Sequence, residues 1–289
     1  MSLFDSLVKY GIPFVPKPIV GRVARNYVAG TTLDDAVRTL HSLNQEGAMG
    51  TVDVLGEEVR EPVKATAAVD EYLQLLDRIA AEKLDANISV KPTMLGLKID
   101  QALCEANLAT IVEHAANLEN FVRIDMEDHS CTDGTIQLYR RIHQKKPASV
   151  GVVLQAYLHR TIADISDLLP LKPNIRICKG IYREPREIAW KDFETIRSNF
   201  IYATEKLLSS GAYVGIATHD PHLVRAGMEI VDRLGLDRDL YEFQMLLGID
   251  PGLRRIILAN GHRLRVYVPY GRDWYPYLLR RLRDCLLYT

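Results

Sequence analysis

The chain has 289 residues, 47% of them hydrophobic and 25% charged, with a formal net charge of −1. That length suits one large α/β unit or two ordinary ones, with ample apolar material for a core. The near-zero charge excludes a global field that would recruit nucleic acid or an acidic membrane.

Residues 1–45 read as an N-terminal helical arm and 46–289 as a barrel domain. Within 1–25, Leu3, Phe4, Leu7, Val8, Phe14 and Val15 stand among Lys9, Lys17 and Arg22. This pattern suits a peripheral membrane contact or an arm packed on the barrel. From there the chain repeats a short strand-like run followed by a helix-like stretch. The predicted strands are 48–54, 87–91, 121–126, 150–156, 174–179, 213–218, 241–245 and 264–268. Several are continuous runs rich in Val and Ile, as strands buried on both faces should be. Between them, 65–84 carries Val69, Leu73, Leu76 and Ala80 at helical spacing. Asp100 is placed to cap a helix through 117, and Asp133 another through 144. Pro185 and Pro221 fall where helices should start. Eight β/α alternations argue for a parallel sheet closed into a (β/α)8 barrel. A doubly wound open sheet competes, but no G-x-G-x-x-G or Walker A run follows any strand.

Barrel enzymes build their sites at the C-terminal ends of the strands. Those ends carry Asp53, Lys91, Asp125 with Glu127 and Asp128, Gln155, Arg176 with Lys179, Thr218 with His219, Gln244, and Tyr267. So many polar groups at consecutive strand ends are hard to explain as packing, and they point to an enzyme. Each residue also has a plainer reading. Lys91 suits a snorkelling surface lysine, and the acidic run 125–129 a solvated turn. Strand alternation should send Asp125 and Glu127 to one side. No second cluster completes a metal site, so none is expected. Arg176 lies inside a buried strand, where a charge must be paired or functional. Lys179 at a strand end also suits a Schiff-base nucleophile of the aldolase kind. His219 suits a core histidine as well as a ligand.

Residues 253–289 hold eight arginines and no lysine. A solvated helix face explains this, but arginine to the exclusion of lysine also suits bidentate recognition of an anion. On a helix, Tyr277 and Arg281 are four apart with Arg280 beside them, a carboxylate clamp in outline. Cys104, Cys131, Cys178 and Cys285 form no C-x-x-C pair, which argues for a reducing compartment without disulfides or structural zinc. No run approaches the roughly 18 apolar residues of a membrane span. No signal-peptide pattern opens the chain. A cytoplasmic location is expected, at most peripheral at the inner face of the cell membrane.

Seven motifs in order, S-V-K-P, R-I-D-M-E-D, V-V-L-Q-A-Y, I-R-I-C-K-G-I-Y, A-T-H-D, Y-E-F-Q-M-L and Y-V-P-Y-G…Y-L-L-R-R-L, resemble the flavin-dependent proline dehydrogenases from about residue 47 to 282. The resemblance implies a distorted (β/α)8 TIM-type barrel with a final helix over the strand C-terminal ends. It implies non-covalent FAD, L-proline as substrate, 1-pyrroline-5-carboxylate as product and a quinone as electron acceptor. Lys91, Arg280 and Arg281 match the groups that hold the proline carboxylate. Tyr267, Leu246 and Tyr277 match the walls around its ring. Asp125 matches the active-site aspartate, and Arg176 the arginine beside the reactive flavin nitrogen. Met126, Gln155, Lys179, Gly180, Ile181, Thr218 and His219 match flavin contacts. The pattern departs from the family in the short loop 271–274 and in ending eight residues after Arg281, which implies a more open site. No aldehyde dehydrogenase domain follows, so a separate pyrroline-5-carboxylate dehydrogenase is expected downstream. A Schiff-base aldolase and a non-catalytic flavin-binding relative are the competing readings.

Overall fold

The computed structural model describes residues 26–56 and 58–278. The first helix among the described residues is α1 (Leu33–Gln45), and eight strands follow with helices between them. These are β1 (Met49–Val54), α2 (Pro62–Ala81), β2 (Ala86–Val90), α3 (Gln101–Asn117), β3 (Val122–Ile124), α4 (His129–Lys145), β4 (Val150–Gln155) and α5 (Thr161–Leu168). The second half runs β5 (Asn174–Cys178), α6 (Phe193–Ser209), β6 (Tyr213–Ala217), α7 (Pro221–Arg233), β7 (Tyr241–Leu246), α8 (Pro251–Ala259) and β8 (Leu264–Tyr270). The strands pair in parallel in chain order, and β8 closes on β1 over Met49–Val54 against Arg265–Tyr270. The architecture is the (β/α)8 barrel expected from the alternation.

Local chemistry starts most of the helices. Asp100, Asp128, Asp192, Asp220 and Asp250 each accept a backbone N–H in the first turn of the helix they precede. Thr32 and Asp35 form a reciprocal capping box on α1. Two of the predicted starts are corrected. Asp128, not Asp133, caps α4, while Asp133 lies within that helix and pairs with Arg160 at 2.7 Å. Pro185 begins a turn closed by Ile188 N–H on its carbonyl, and the next helix starts only after Asp192.

The segment read as an arm includes α1, and α1 lies in the main core. Its Ala36, Val37, Leu40 and Leu43 are buried, and it packs across the β8–β1 seam. A Cβ on Gly50 of β1 would stand 2.1 Å from Leu40, so only glycine lets this helix approach so closely. The earlier part of that segment, with the proposed membrane-contact residues, lies outside the described residues.

The two faces of the strands divide cleanly. Val52, Ile88, Ile124, Val152, Ile177, Ile216, Phe243 and Val266, one from each strand, are fully buried against the helices. Their sequence neighbours point the other way. Barrel interiors are usually filled by bulky branched side chains. Here the interior holds Ser89, Arg123, Arg176, Glu242, Gln244, Arg265 and Tyr267. Hydrogen bonds join residues of strands that are not neighbours, such as β5 to β2 and β8 to the end of β3, so they cross the barrel axis.

Candidate active site

The centre of the polar interior is Arg176. Its Nη1 donates to Asp125 at 2.7 Å, its Nη2 to Ser89 Oγ at 3.0 Å, and its Nε to Gln244 Oε1. Among the described residues, three of its five N–H groups are thus taken and two remain for a ligand. The guanidinium carbon lies 5.4 Å from the centre of the Tyr267 ring. Tyr267 donates its hydroxyl to the other oxygen of Asp125 at 2.8 Å. Burial, then the nearby charges of Asp125 and Asp53, raise the Tyr267 pKa well above its usual value, so the phenol stays protonated and remains a donor.

A second ion pair stands beside the first. Lys91, 7% exposed just past β2, donates to Asp53 Oδ2 at the end of β1. Burial pushes the Asp53 carboxyl up to about 6, against the pull of Lys91 and with help from the charge of Asp125. Asp125 and Glu127 do not act together as strand alternation suggests. β3 ends at Ile124 and the chain turns, so Glu127 instead accepts from Thr93 N–H at 2.9 Å and Thr93 Oγ1 at 2.6 Å. That ties the loop after β3 to the loop after β2.

The other side of the strand mouth is a set of rigid supports. Gln155 Nε2 donates to the carbonyls of Met126 and Glu127, and its Oε1 is buried with no partner among the described residues. Gly180 has φ +108, and a Cβ there would meet the Tyr157 ring at 2.2 Å. Ile181 follows it, half-buried. His219 Nε2 accepts the Leu246 N–H at 2.7 Å, which places the ring proton on Nδ1. Thr218 donates its N–H to Gln244 O at 3.2 Å, and its hydroxyl accepts the Asp220 N–H. Lys179 lies 3.5 Å from Asp220, which also takes a two-pronged pair from Arg197. Burial lowers the Lys179 pKa, partly offset by Asp220. Sequence reasoning passed over Glu184. It is buried and accepts His129 N–H at 2.9 Å and the His129 ring, pinning the loop after β5 to the start of α4.

The structure therefore gathers Lys91, Asp125, Met126, Gln155, Arg176, Lys179, Gly180, Ile181, Thr218, His219, Leu246 and Tyr267 around one mouth. Tyr277 is buried in a helical turn at 274–278, packed with Val28, Leu55 and Trp274. Arg280 and Arg281 lie outside the described residues.

The sequence model described as proline dehydrogenase matches residues 36–284. A proline dehydrogenase 1 from Bacillus subtilis subsp. natto is 36% identical over 261 residues, 90% of this chain and 86% of that protein. The chain belongs to the proline dehydrogenase family. A proline dehydrogenase of Deinococcus radiodurans is 35% identical over 266 residues, covering 91% of this chain and 86% of the relative. The crystal structure of proline utilization A from Bdellovibrio bacteriovorus inactivated by N-propargylglycine shares the fold at TM-score 0.84 and 23% identity. It aligns with 90% of this chain, which spans only 32% of that larger protein. Family membership makes the chain a proline dehydrogenase. Among the described residues, no helix is long and apolar enough to cross a membrane.

Proposed function

We propose that this member of the family oxidises L-proline to 1-pyrroline-5-carboxylate using non-covalent FAD and passes the electrons to a quinone. The observation that carries the reading is Arg176. It is a buried cation held on three sides by Asp125, Ser89 and Gln244, with donors left over at the strand mouth. The residues around it fit a flavin. The buried Gln155 Oε1 can accept an N–H from the ring system, and Gly180 makes a left-handed turn packed against the Tyr157 ring at that rim. When bound, the flavin supplies a two-electron hydride acceptor.

The residues of the chain do the rest. Arg176 faces the charge that develops on reduction and stabilises it without reorganising. Asp125 and Tyr267 hold Arg176, and Tyr267 with Leu246 and Tyr277 walls the substrate ring. Lys91, Arg280 and Arg281 hold the carboxylate, so that the ring carbon next to nitrogen meets the acceptor at a fixed approach. Met126, Gln155, Lys179, Gly180, Ile181, Thr218 and His219 form the flavin rim. Tautomer-locked His219 and the half-buried Lys179 offer it donors. Solvent takes the amine proton. The product passes to a separate pyrroline-5-carboxylate dehydrogenase, and the quinone is met at a peripheral membrane contact.

The test is the absorbance spectrum of the purified protein before and after anaerobic L-proline. A flavin spectrum that bleaches on addition, with all flavin released to the supernatant by acid, is expected. Flavin that proline does not bleach would leave a binding relative without turnover. A colourless folded protein that traps a carbonyl substrate on Lys179 with borohydride would instead be a Schiff-base aldolase.

A further inference from the structure

Beneath Arg176 the barrel holds a hydrogen-bond chain that substrate recognition does not require. Gln244 Oε1 accepts Arg176 Nε, and Gln244 Nε2 donates to Glu242 Oε1. Glu242 in turn accepts Arg265 Nε at 2.8 Å and the Tyr213 hydroxyl at 2.8 Å, and Arg265 Nη1 donates to the Gly50 carbonyl at 2.7 Å. The direction of the chain is fixed. A guanidinium only donates and a carboxylate only accepts, so the Gln244 amide has one orientation that satisfies both neighbours. Burial works to raise the Glu242 pKa, but the charge and hydrogen bond of Arg265, the Tyr213 hydroxyl and the charge of Arg123 outweigh it, holding it at about 2.

Space for the amide comes from Gly215. Its Cα pairs with Arg176 on one side and with Glu242 on the other. Its backbone is not in the left-handed region, so conformation does not demand glycine. Room does: a Cβ there would lie 2.6 Å from Gln244 Nε2 and 3.0 Å from its Cδ. Two independent features, the donor–acceptor order and the missing side chain opposite, thus converge on one amide.

We propose that Gln244 is a positioning residue, seated by Gly215 and Glu242, that fixes the rotation of the Arg176 guanidinium so that its remaining donors face the strand mouth. Asp125 and Ser89 engage the two terminal nitrogens; Gln244 engages Nε and removes the rotation about the side chain that those two leave. The inference rests on the role given above to Arg176, and the experiment separates the two.

Flavin reduction by proline is followed by stopped flow in the parent, Arg176→Met, Gln244→Met, the double variant and Gly215→Ala, with the flavin midpoint potential measured for each. Gln244→Met should slow reduction at saturating proline about ten-fold and lower the potential, while binding of a cyclic carboxylate lacking the amine changes less than two-fold. In the double variant Gln244→Met should add less than two-fold to the loss from Arg176→Met, because the residue acts only through the arginine. Gly215→Ala keeps every hydrogen-bonding group and displaces only the amide, so it should reproduce the Gln244→Met effect in direction. It carries the test alone if Gln244→Met does not fold. Losses that add in full, a parental rate and potential in Gln244→Met, or a silent Gly215→Ala would overturn the proposal. A parental rate in Arg176→Met would overturn the reading of Arg176 and this inference with it.

Discussion

The two faces of the eight strands are held by different forces. On the outward face, residues such as Ile216, Phe243 and Val266 are buried against helices, and their contribution is area removed from water. On the inward face, Arg265, Glu242, Gln244, Arg176, Asp125 and Tyr267 form one connected chain of hydrogen bonds and ion pairs. Apolar packing tolerates conservative exchange, because a lost methylene costs only its own transfer and cavity energy. A buried charge chain does not, because each member removed leaves a partner unpaired. The outward face makes the barrel, and the inward face fills it with one connected polar network.

The sharpest way to break this contrast is Glu242→Ala. It strands Arg265 and the Tyr213 hydroxyl in the interior and should cost about 3–5 kcal/mol in urea denaturation. Replacing Glu242 and Arg265 together by Met should recover most of that loss. A loss no larger than that of an outward valine or isoleucine would erase the distinction.

Asp53 tests the inward face through pH. Its folded pKa of about 6 lies above the ordinary carboxylate value of about 4. Below pH ~4 both states carry the proton. Between about 4 and 6 the unfolded chain releases it while the folded chain keeps it, so this group makes stability fall as pH rises, by about 3 kcal/mol over the window. The stability of Asp53→Asn relative to the parent should therefore improve as pH climbs through that range. A pH-independent difference would mean that the carboxyl titrates normally.

The proposed carboxylate clamp extends the comparison to the substrate. Arg280→Met or Arg281→Met should raise the KM for proline some 30-fold or more, about 2 kcal/mol at least. Pyrrolidine, which lacks the carboxylate, should be no worse a substrate for the variants than for the parent. Unchanged binding of tetrahydrofuroic acid in both variants would move the clamp to Lys91. Arg176→Met should slow flavin reduction at least ten-fold, about 1.4 kcal/mol, with flavin occupancy intact. The smallest effect belongs to the outward face: Ile216→Val should cost roughly 0.5–1.5 kcal/mol of stability and leave the reduction rate unchanged.

Some of this was legible one residue at a time. Alternation of apolar runs with helical spacing located all eight strands, because parallel strands covered by helices must be apolar. Their ends shifted by a residue or two, most at β3, where 121–126 shortened to Val122–Ile124. Pro221 marked a helix start correctly and Pro185 did not, since a fixed φ suits a turn as well as a first helical residue. Glu242 and Arg265 were missed, although Y-E-F-Q places Glu242 and Gln244 two apart on one strand face. A charge two residues below a strand-end amide is a signal that period two makes readable.

The sequence by itself determined the barrel, the strand ends that carry polar groups and the family motifs. Each of these depends on residues close in the chain: hydrophobic periodicity, caps and runs of a few residues. Only the tertiary structure decided which polar groups meet. Closing β8 onto β1 brings Tyr267 to Asp125, 142 positions apart. Closure also sets Arg176 of β5 against Ser89 of β2, 87 positions away. Neither pairing is encoded in local spacing. Both follow from the radius and register of a closed eight-stranded sheet, which fixes the distance across the axis and lets these side chains meet there.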